Sequence, residues 1–416
     1  MTCPRSVRME RHLSRAEVGD SGSIAHGIIF VTVFLDLVGF GIILPLLPFY
    51  ATSMGASPLD VGLIMASYSL MQLLFSPVWG SLSDRYGRRP LLILGLFGSA
   101  ISYVVFGLAS TIGVLLVSRL IAGIMGANVP VAQAIIADST SPERRARGMG
   151  LLGAAFGLGF IFGPAIGGTL SHWWGYSAPG FAAAALTGIN AIAAVFFLPE
   201  SLPRNRRTSG GHGWNALRDR MKATRRVASR PHLRQPITVL MLMTWGFAGF
   251  TVTFPLFLDK PLGLSAAYAG GLFAYVGLIS AIIQGRLIGP LVERFGERNV
   301  AAAGGALLAT GFATMAVFPA LGPLFGALAL VGLGWGCVIP SLHSIVSRRA
   351  AAGEQGEVLG VNQSAASAGR VLGPVAAGWG FGVLGPRVGF LAGALLVAVA
   401  VLLVRRMSDD RESNFG

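Results

Sequence analysis

Long apolar runs separated by short polar stretches fill almost the whole chain. After a polar stretch at 1–25, an apolar run extends from His26 to Tyr50. Others follow at about 59–82, 91–111, 113–138, 147–171, 178–198, 234–258, 265–292, 300–318, 321–347, 356–383 and 386–404. Each is near the roughly 17 to 25 residues with which a helix crosses about 30 Å of hydrocarbon. Backbone N–H and C=O groups cannot stay unpaired in lipid, so the pattern predicts helices rather than irregular chain. The first run exceeds the roughly 7 to 15 residues of a secretory signal core and reads as an uncleaved span.

The pattern repeats. Gly80-Ser-Leu-Ser-Asp-Arg-Tyr-Gly-Arg-Arg-Pro90 returns in residue type as Gly289-Pro-Leu-Val-Glu-Arg-Phe-Gly-Glu-Arg-Asn299, an offset of 209 positions. Gly80, Asp84, Arg85, Gly87 and Arg89 fall over Gly289, Glu293, Arg294, Gly296 and Arg298. Pro45 matches Pro255, and Gly163-Pro164 matches Gly373-Pro374, at an offset of 210. Two units of the same sense imply a parallel repeat about an axis along the membrane normal. The expected fold class is an all-α polytopic membrane protein with 12 transmembrane helices in two six-helix bundles. The expected division is a leader at 1–25, bundles at 26–198 and 234–404, a basic linker at 199–233 and a tail at 405–416. Kinks or local unwinding are expected at Pro45, Pro48, Pro77, Pro130, Pro164, Pro255, Pro340 and Pro374, because each removes a helical hydrogen bond.

Composition agrees with the pattern: 53% of residues are hydrophobic and 12% charged, against about a quarter charged in an ordinary soluble domain. The 58 glycines sit largely within apolar runs, where small residues let helices approach closely. Cys3 and Cys337 suggest no disulfide framework, metal site or thiol pair. The net charge of +14 would suggest nucleic acid on one soluble face, but its placement argues otherwise. Of 32 basic residues, 27 fall in the leader, the tail and alternate loops, which places both termini in the cytoplasm. The segment Pro199–Gln235 carries ten basic residues against Glu200 and Asp219, and reads as a connector held near anionic headgroups.

Few polar side chains remain inside the spans, where charge costs about 2.5 to 3.5 kcal/mol on insertion scales. Asp36 is the only acid well inside any run. A carboxyl group able to change protonation state in a low-dielectric setting is what a proton carrier requires; the alternative is a structural Asp bonded to backbone freed around Pro45. Arg119 in the fourth span is a permanent cation that needs an anion or several carbonyls. It lies nearer the outer face than Asp36, and a direct pair between them is open. Arg370 in the eleventh span is open to an anionic solute group, to Asp36 or to neighbouring carbonyls. Tyr68, Gln72, Asn128, Gln133, Trp245, Gln284, His343, Asn362 and Gln363 complete a mainly apolar cavity suited to an amphiphilic solute. In the fifth span, Gly153/Gly157 and Gly159/Gly163/Gly167 form a smooth ridge, and Pro164 adds a possible hinge. There is no Ser-His-Asp order, no paired carboxylates, no metal-spaced histidines in the spans and no glycine-rich nucleotide loop with a lysine. Neither an enzyme nor a cofactor, metal or ATP is expected.

The Gly80–Pro90 turn resembles the signature loop of the major facilitator superfamily. Arg119-Leu-Ile-Ala-Gly-Ile-Met-Gly-Ala127 resembles its helix-four motif, and Gly163-Pro-Ala-Ile-Gly-Gly168 its antiporter motif. Asp36-Leu-Val-Gly-Phe-Gly-Ile-Ile-Leu-Pro-Leu-Leu-Pro48 resembles the first-helix motif of the twelve-span drug/proton antiporters. Ala137-Asp-Ser-Thr-Ser-Pro-Glu-Arg-Arg-Ala-Arg-Gly148 and Leu198-Pro-Glu-Ser-Leu202 are most similar to the tetracycline-efflux branch. The resemblance implies a gate in which Asp84 faces the start of the eleventh helix while Arg85, Arg88 and Arg89 pair with acids such as Asp138. The chain departs from that branch: Ser102 stands where a helix-three acid is expected, and Val300–Phe318 holds no acid. Glu297 replaces Arg88 in the second loop, and Trp245 or Gly246 replaces Asp36. The expected function is proton-coupled export of a small amphiphilic drug-like or metabolite solute from a monomer in the inner membrane. The rivals are a facilitator or proton symporter and a non-transporting sensor or scaffold.

Overall fold

A computed structural model describes residues 27–126, 129–139, 142–207, 213–318, 320–351 and 354–407. The leader, Asn128 and the tail beyond residue 407 lie outside them. The long helices are α1 Gly27–Ser53, α2 Pro58–Tyr86, α3 Arg88–Gly107, α4 (Ile112–Met125 and Val129–Ser139), α5 Pro142–Trp174 and α6 Ser177–Phe197. The second set is α7 Pro231–Asp259, α8 Ala266–Phe295, α9 Glu297–Val317, α10 Leu321–Arg349, α11 Gln355–Leu384 and α12 Pro386–Arg405. Ten among the described residues are long and apolar enough to cross a membrane. The two others, α5 and α11, occupy the places expected of the fifth and eleventh spans.

Local chemistry sets several boundaries. Ser57 and Asp60 form a capping box at the start of α2, with Pro58 at its first position. Both α3 and α9 start at once after a glycine of positive φ, Gly87 at 111° and Gly296 at 79°, a backbone conformation that other residues resist. The prolines act less uniformly than expected. Pro45 does interrupt α1, where Leu44–Leu46 form a turn, but Pro77, Pro164, Pro255, Pro340 and Pro374 sit inside unbroken helices. Neighbouring helices and local adjustments can re-satisfy the groups a proline frees. A further local irregularity is a π turn at Ile283–Leu287, with no proline in it.

Packing follows the duplication: α3 lies on α6 as α9 lies on α12, and α2 on α4 as α8 on α10. The halves meet through α2 with α11 and α5 with α8. A Cβ on Gly62 would fall 2.3 Å from the Pro374 carbonyl oxygen, and one on Gly378 2.3 Å from that of Pro58. On the other side, Gly270 meets the Pro164 carbonyl at the same distance. Thr52 also donates to Asp259 across the halves at 3.3 Å. All but α5–α8 of these contacts lie at the end away from the two arginine turns, and the described glycine contacts of the α5–α8 seam run from that end to Gly157 and Ala281.

At the arginine-turn end a linker helix, Gly213–Ala228, packs against α2, α7 and α11. The sequence reading missed it. Its inward face is Ala216, Arg220, Ala223 and Val227, too weakly apolar to stand out. Arg226 pairs with Glu357 at 3.1 Å, and Arg230 binds both oxygens of Glu354, the longer contact 3.2 Å.

Gly62→Ala is expected to destabilise the protein by about 1–3 kcal/mol, because backbone must move to admit the methyl group. Gly80→Ala, with open space beside it, is expected to be neutral or stabilising; thermal unfolding midpoints in detergent check both. Hydrogen bonds from Arg230 and its charge hold Glu354 below the ordinary glutamate range. Their tie is therefore intact above that range and lost as pH falls through the lowered value. The stability difference between wild type and Glu354→Gln is expected to vanish in strong acid.

Candidate substrate cavity and gate

Asp36 stands half-buried in α1, next to Thr32, Val33 and Leu37. Leu92 and Leu96 of α3 and Ala132 of α4 close a cavity of about 10 Å³ around it, close to the least space that holds one water. The ridge on α5 fixes this part of α1. Cβ atoms on Gly159, Gly163 and Gly167 would strike Leu37, Gly41 and Ile42 within 2.8 Å, so the two helices touch backbone to backbone.

Arg119 is buried at 3% exposure. Its Nε donates to Ser118 Oγ at 3.3 Å, its guanidinium lies over the rings of Tyr103 and Phe106 at 5.8 and 5.1 Å, and Nη2 has no partner. Cation–π contacts thus take part of the place of a counter-ion. Among the described residues no ion pair joins Asp36 to Arg119. Measured along α3, from Leu92/Leu96 to Tyr103/Phe106, they sit roughly 10 to 20 Å apart in level. Tyr103 spans the interval: a Cβ on Gly39, one turn beyond Asp36, would lie 3.7 Å from its hydroxyl oxygen.

Tyr68 of α2 lies between these groups, within electrostatic reach of Asp36, Arg119 and Arg370 but hydrogen-bonded to none of them. Its ring stacks obliquely on Phe40 at 5.1 Å. Gln72 Nε2 donates to its hydroxyl at 3.4 Å and to the Gly126 carbonyl at 3.3 Å. In the second half, Arg370 donates to Ser367 Oγ at 2.7 Å, and Asn362 Nδ2 lies 3.1 Å from His343 Nδ1. The Asn362 Oδ1 atom is buried without a partner. Gln363 is exposed on the helical face of Arg370. Trp245 and Gln284 are half-buried, Gln284 inside the π turn, and Gln133 is exposed. None of these three makes a polar contact with the cluster. Ser102 is buried and donates to the Ser99 carbonyl at 2.7 Å. Two groups escaped sequence reading: Tyr103, and the Phe247–Trp335 stack between α7 and α10, with centroids 3.8 Å apart.

At the first arginine turn, Arg88 is the hub. It binds Asp84 at 2.6 Å, Asp138 at 3.3 Å and Ser83 Oγ at 2.6 Å, while its backbone N–H donates to Glu200 at 2.9 Å. Arg85 and Arg89 are not part of this ion network. Arg85 lies over the Tyr86 ring, 5.2 Å from its centroid, and Arg89 donates to the Val195 carbonyl. Asp84 bonds to Arg88 and makes no hydrogen bond to the start of α11, where the linker helix packs instead. In the second turn Glu297 accepts from Ser344 at 2.5 Å and pairs with Arg348 at 3.1 Å. The bridge from the start of the third helix to the end of the fourth thus recurs between α9 and α10 with its charges exchanged. Arg298 donates to the Arg405 carbonyl as Arg89 does to Val195, and Arg294 lies over Phe295 at 5.3 Å. Glu293 is exposed, and Gly80 and Gly289 have open space beside them.

Duplicated helical units, an interior with three charges and a charge-bridged turn in each half define a multi-pass membrane transporter. The chain belongs to the Major Facilitator Superfamily, which its sequence matches over residues 29–364 and 285–415. It is 33% identical to the class C tetracycline resistance protein of Escherichia coli, over 84% of this chain and 87% of that one. It is 29% identical to multidrug resistance protein 2 of Bacillus subtilis over the same shares. Among solved structures, the human organic anion transporter MFSD10 superposes with a TM-score of 0.71 at 28% identity, covering 92% of this chain and 99% of that one.

Arg88→Glu is expected to cost about 1–3 kcal/mol, because it leaves Asp84 and Asp138 facing a like charge. Adding Asp138→Arg, which reproduces the Glu297–Arg348 arrangement, is expected to recover part of that loss in the thermal midpoint. No recovery would mean that the two bridges are not equivalent.

Proposed function

We propose that the chain is a proton-coupled antiporter of a cell inner membrane, both ends cytoplasmic, that exports a small amphiphilic solute by alternating access. The observation that carries the reading is Asp36, a carboxyl group set within α1 beside a cavity of about 10 Å³, in a stretch of helix held by the α5 glycine ridge. Asp36 is the proton carrier, Arg119 and Tyr103 set its electrostatic surroundings, and the His343–Asn362–Arg370 cluster meets the solute. Bundles 26–198 and 234–404 rock about the α2–α11 and α5–α8 seams. The contacts at the end away from the arginine turns support a form open towards the basic, cytoplasmic end. Each proton entering releases roughly 2.3 kcal/mol per 100 mV. The tetracycline and multidrug resistance relatives support export of an amphiphile.

A second reading has one observation in its favour. The interior holds two arginines against one acid, which suits an anionic solute and proton symport; the relative described as an organic anion transporter points the same way.

Everted vesicles loaded by a pH gradient separate the readings, with one fluorescent amphiphilic cation and one fluorescent amphiphilic anion as probes. Antiport predicts accumulation that collapses with the gradient. Asp36→Asn is expected to abolish it while leaving the amount of inserted protein unchanged. Undiminished accumulation by that variant would remove Asp36 from the mechanism, and accumulation only under the reversed gradient would establish symport.

A further inference from the structure

We propose that a groove on the outer side of α3 binds an anionic phospholipid. The groove encloses about 860 Å³ at the arginine-turn end, between the start of α3 and the segment that follows α6. Its upper rim is Arg89, Arg204 and Arg207, and among the described residues the only acid lining it is Glu200. That carboxylate is already engaged: it accepts from the Arg88 and Leu202 backbone N–H groups at 2.9 and 3.1 Å, and Arg207 Nη2 lies 3.5 Å away. Arg89 is held through Nη2 on the Val195 carbonyl, and its Nε and that of Arg207 are buried without partners. The exposed Arg204 side chain makes no polar contact among the described residues. Three guanidinium charges thus line a groove with one carboxylate, which only Arg207 approaches, and the rim is left with unneutralised positive charge.

The lower wall is apolar. Leu94 and Phe97 line it, 54% and 39% exposed, and the same face of α3 continues through Ile101 and Val104 at 59% and 39%. Spacings of three and four residues make this one stripe, directed down the hydrocarbon region. From Arg89 to Phe97 the helix rises about 12 Å. A ligand satisfying both parts carries an anionic phosphate at headgroup depth and an acyl chain beneath it. Basic pockets beside membrane helices select such headgroups. A free phosphate would satisfy the rim and leave the stripe unused. The site lies outside the proposed solute cavity and does not depend on the direction of transport. Its occupant would bridge the start of α3 to the segment after α6, beside the carboxylate that meets the Arg88 backbone.

The test is native mass spectrometry of the full chain in detergent, titrated with dioleoyl phosphatidylglycerol and, separately, with dioleoyl phosphatidylcholine. One phosphatidylglycerol is expected to be retained in preference to phosphatidylcholine. Arg204→Ala with Arg207→Ala is expected to weaken it on the order of 30-fold, which is about 1 kcal/mol for each arginine near an anionic headgroup. Arg218→Ala with Arg225→Ala removes the same charge from the exposed face of the linker helix and is expected to leave retention unchanged. Phe97→Ala is expected to weaken phosphatidylglycerol, and a large excess of glycerol phosphate is expected not to displace it. Equal loss in the two double variants would reduce the effect to diffuse surface attraction. Equal retention of phosphatidylcholine, or displacement by glycerol phosphate, would also overturn the lipid site.

Discussion

A side chain at any of three glycines on α5 would lie inside another helix. At Gly163 a Cβ would fall 2.6 Å from the Gly41 backbone, and at Gly167 2.3 Å from the Ile42 carbonyl oxygen. Such approaches are open only to backbone against backbone, where dispersion contacts replace the hydrophobic drive that lipid cannot supply. The adjoining face of α5, about 100° round the helix, makes the same kind of contact with the second half, since Gly270 and Gly277 press on the carbonyls of Pro164 and Phe160. One helix is therefore shared between the wall that holds Asp36 and a seam between the halves. A displacement along that seam cannot leave the surroundings of α1 unchanged, because close-packed helices transmit movement.

The two halves keep geometry while exchanging charge. Arg88 with Asp138 and Glu297 with Arg348 join equivalent helix ends, and Arg89 and Arg298 reach equivalent terminal carbonyls, Val195 and Arg405. Coulomb attraction depends on the product of the charges and is indifferent to which partner carries which sign. The departure in the second turn, a glutamate where the first has Arg88, is thus a reversed bridge. The surroundings differ, however. Arg88 also binds Asp84 and Ser83, whereas Glu297 adds Ser344. The first turn therefore holds the richer network, beside the half that contains Asp36.

Span positions were legible because lipid imposes a length and an apolar composition that no other constraint relaxes. The repeat was legible because its turns need glycine at positive φ, which Gly87 and Gly296 supply. Proline positions were a poorer guide: a proline removes one hydrogen bond, but whether the helix breaks depends on what its neighbours offer, and α5 continues unbroken through Pro164. The linker helix escaped notice because its inward face includes an arginine and two alanines. Arg88 and Asp138 could be paired from the motif, whereas Arg348 could not, because no residue pattern announces a bridge with reversed sign. Tyr103 was silent for another reason. Tyrosine breaks neither an apolar run nor a charge count, and its place beside Arg119 follows only from how α3 packs on α4.

In the proposed proton-coupled cycle, with Asp36, Arg119 and Arg370 as the interior charges among the described residues, the direction of coupling would rest on the solute's charge. A cationic solute near Asp36 gains from the carboxylate and loses that gain when the carboxyl is protonated, so proton and solute compete and exchange is favoured. An anionic solute on Arg370 is repelled by the carboxylate and relieved by its protonation, so the two bind together. Linkage makes both statements reciprocal: whatever the proton does to solute affinity, the solute does to proton affinity by the same factor. The same helices and the proposed rocking motion would serve either cycle. On that proposal, what separates antiport from symport is the sign of the interaction between the Asp36 carboxylate and the solute, set by the cargo and not by the fold.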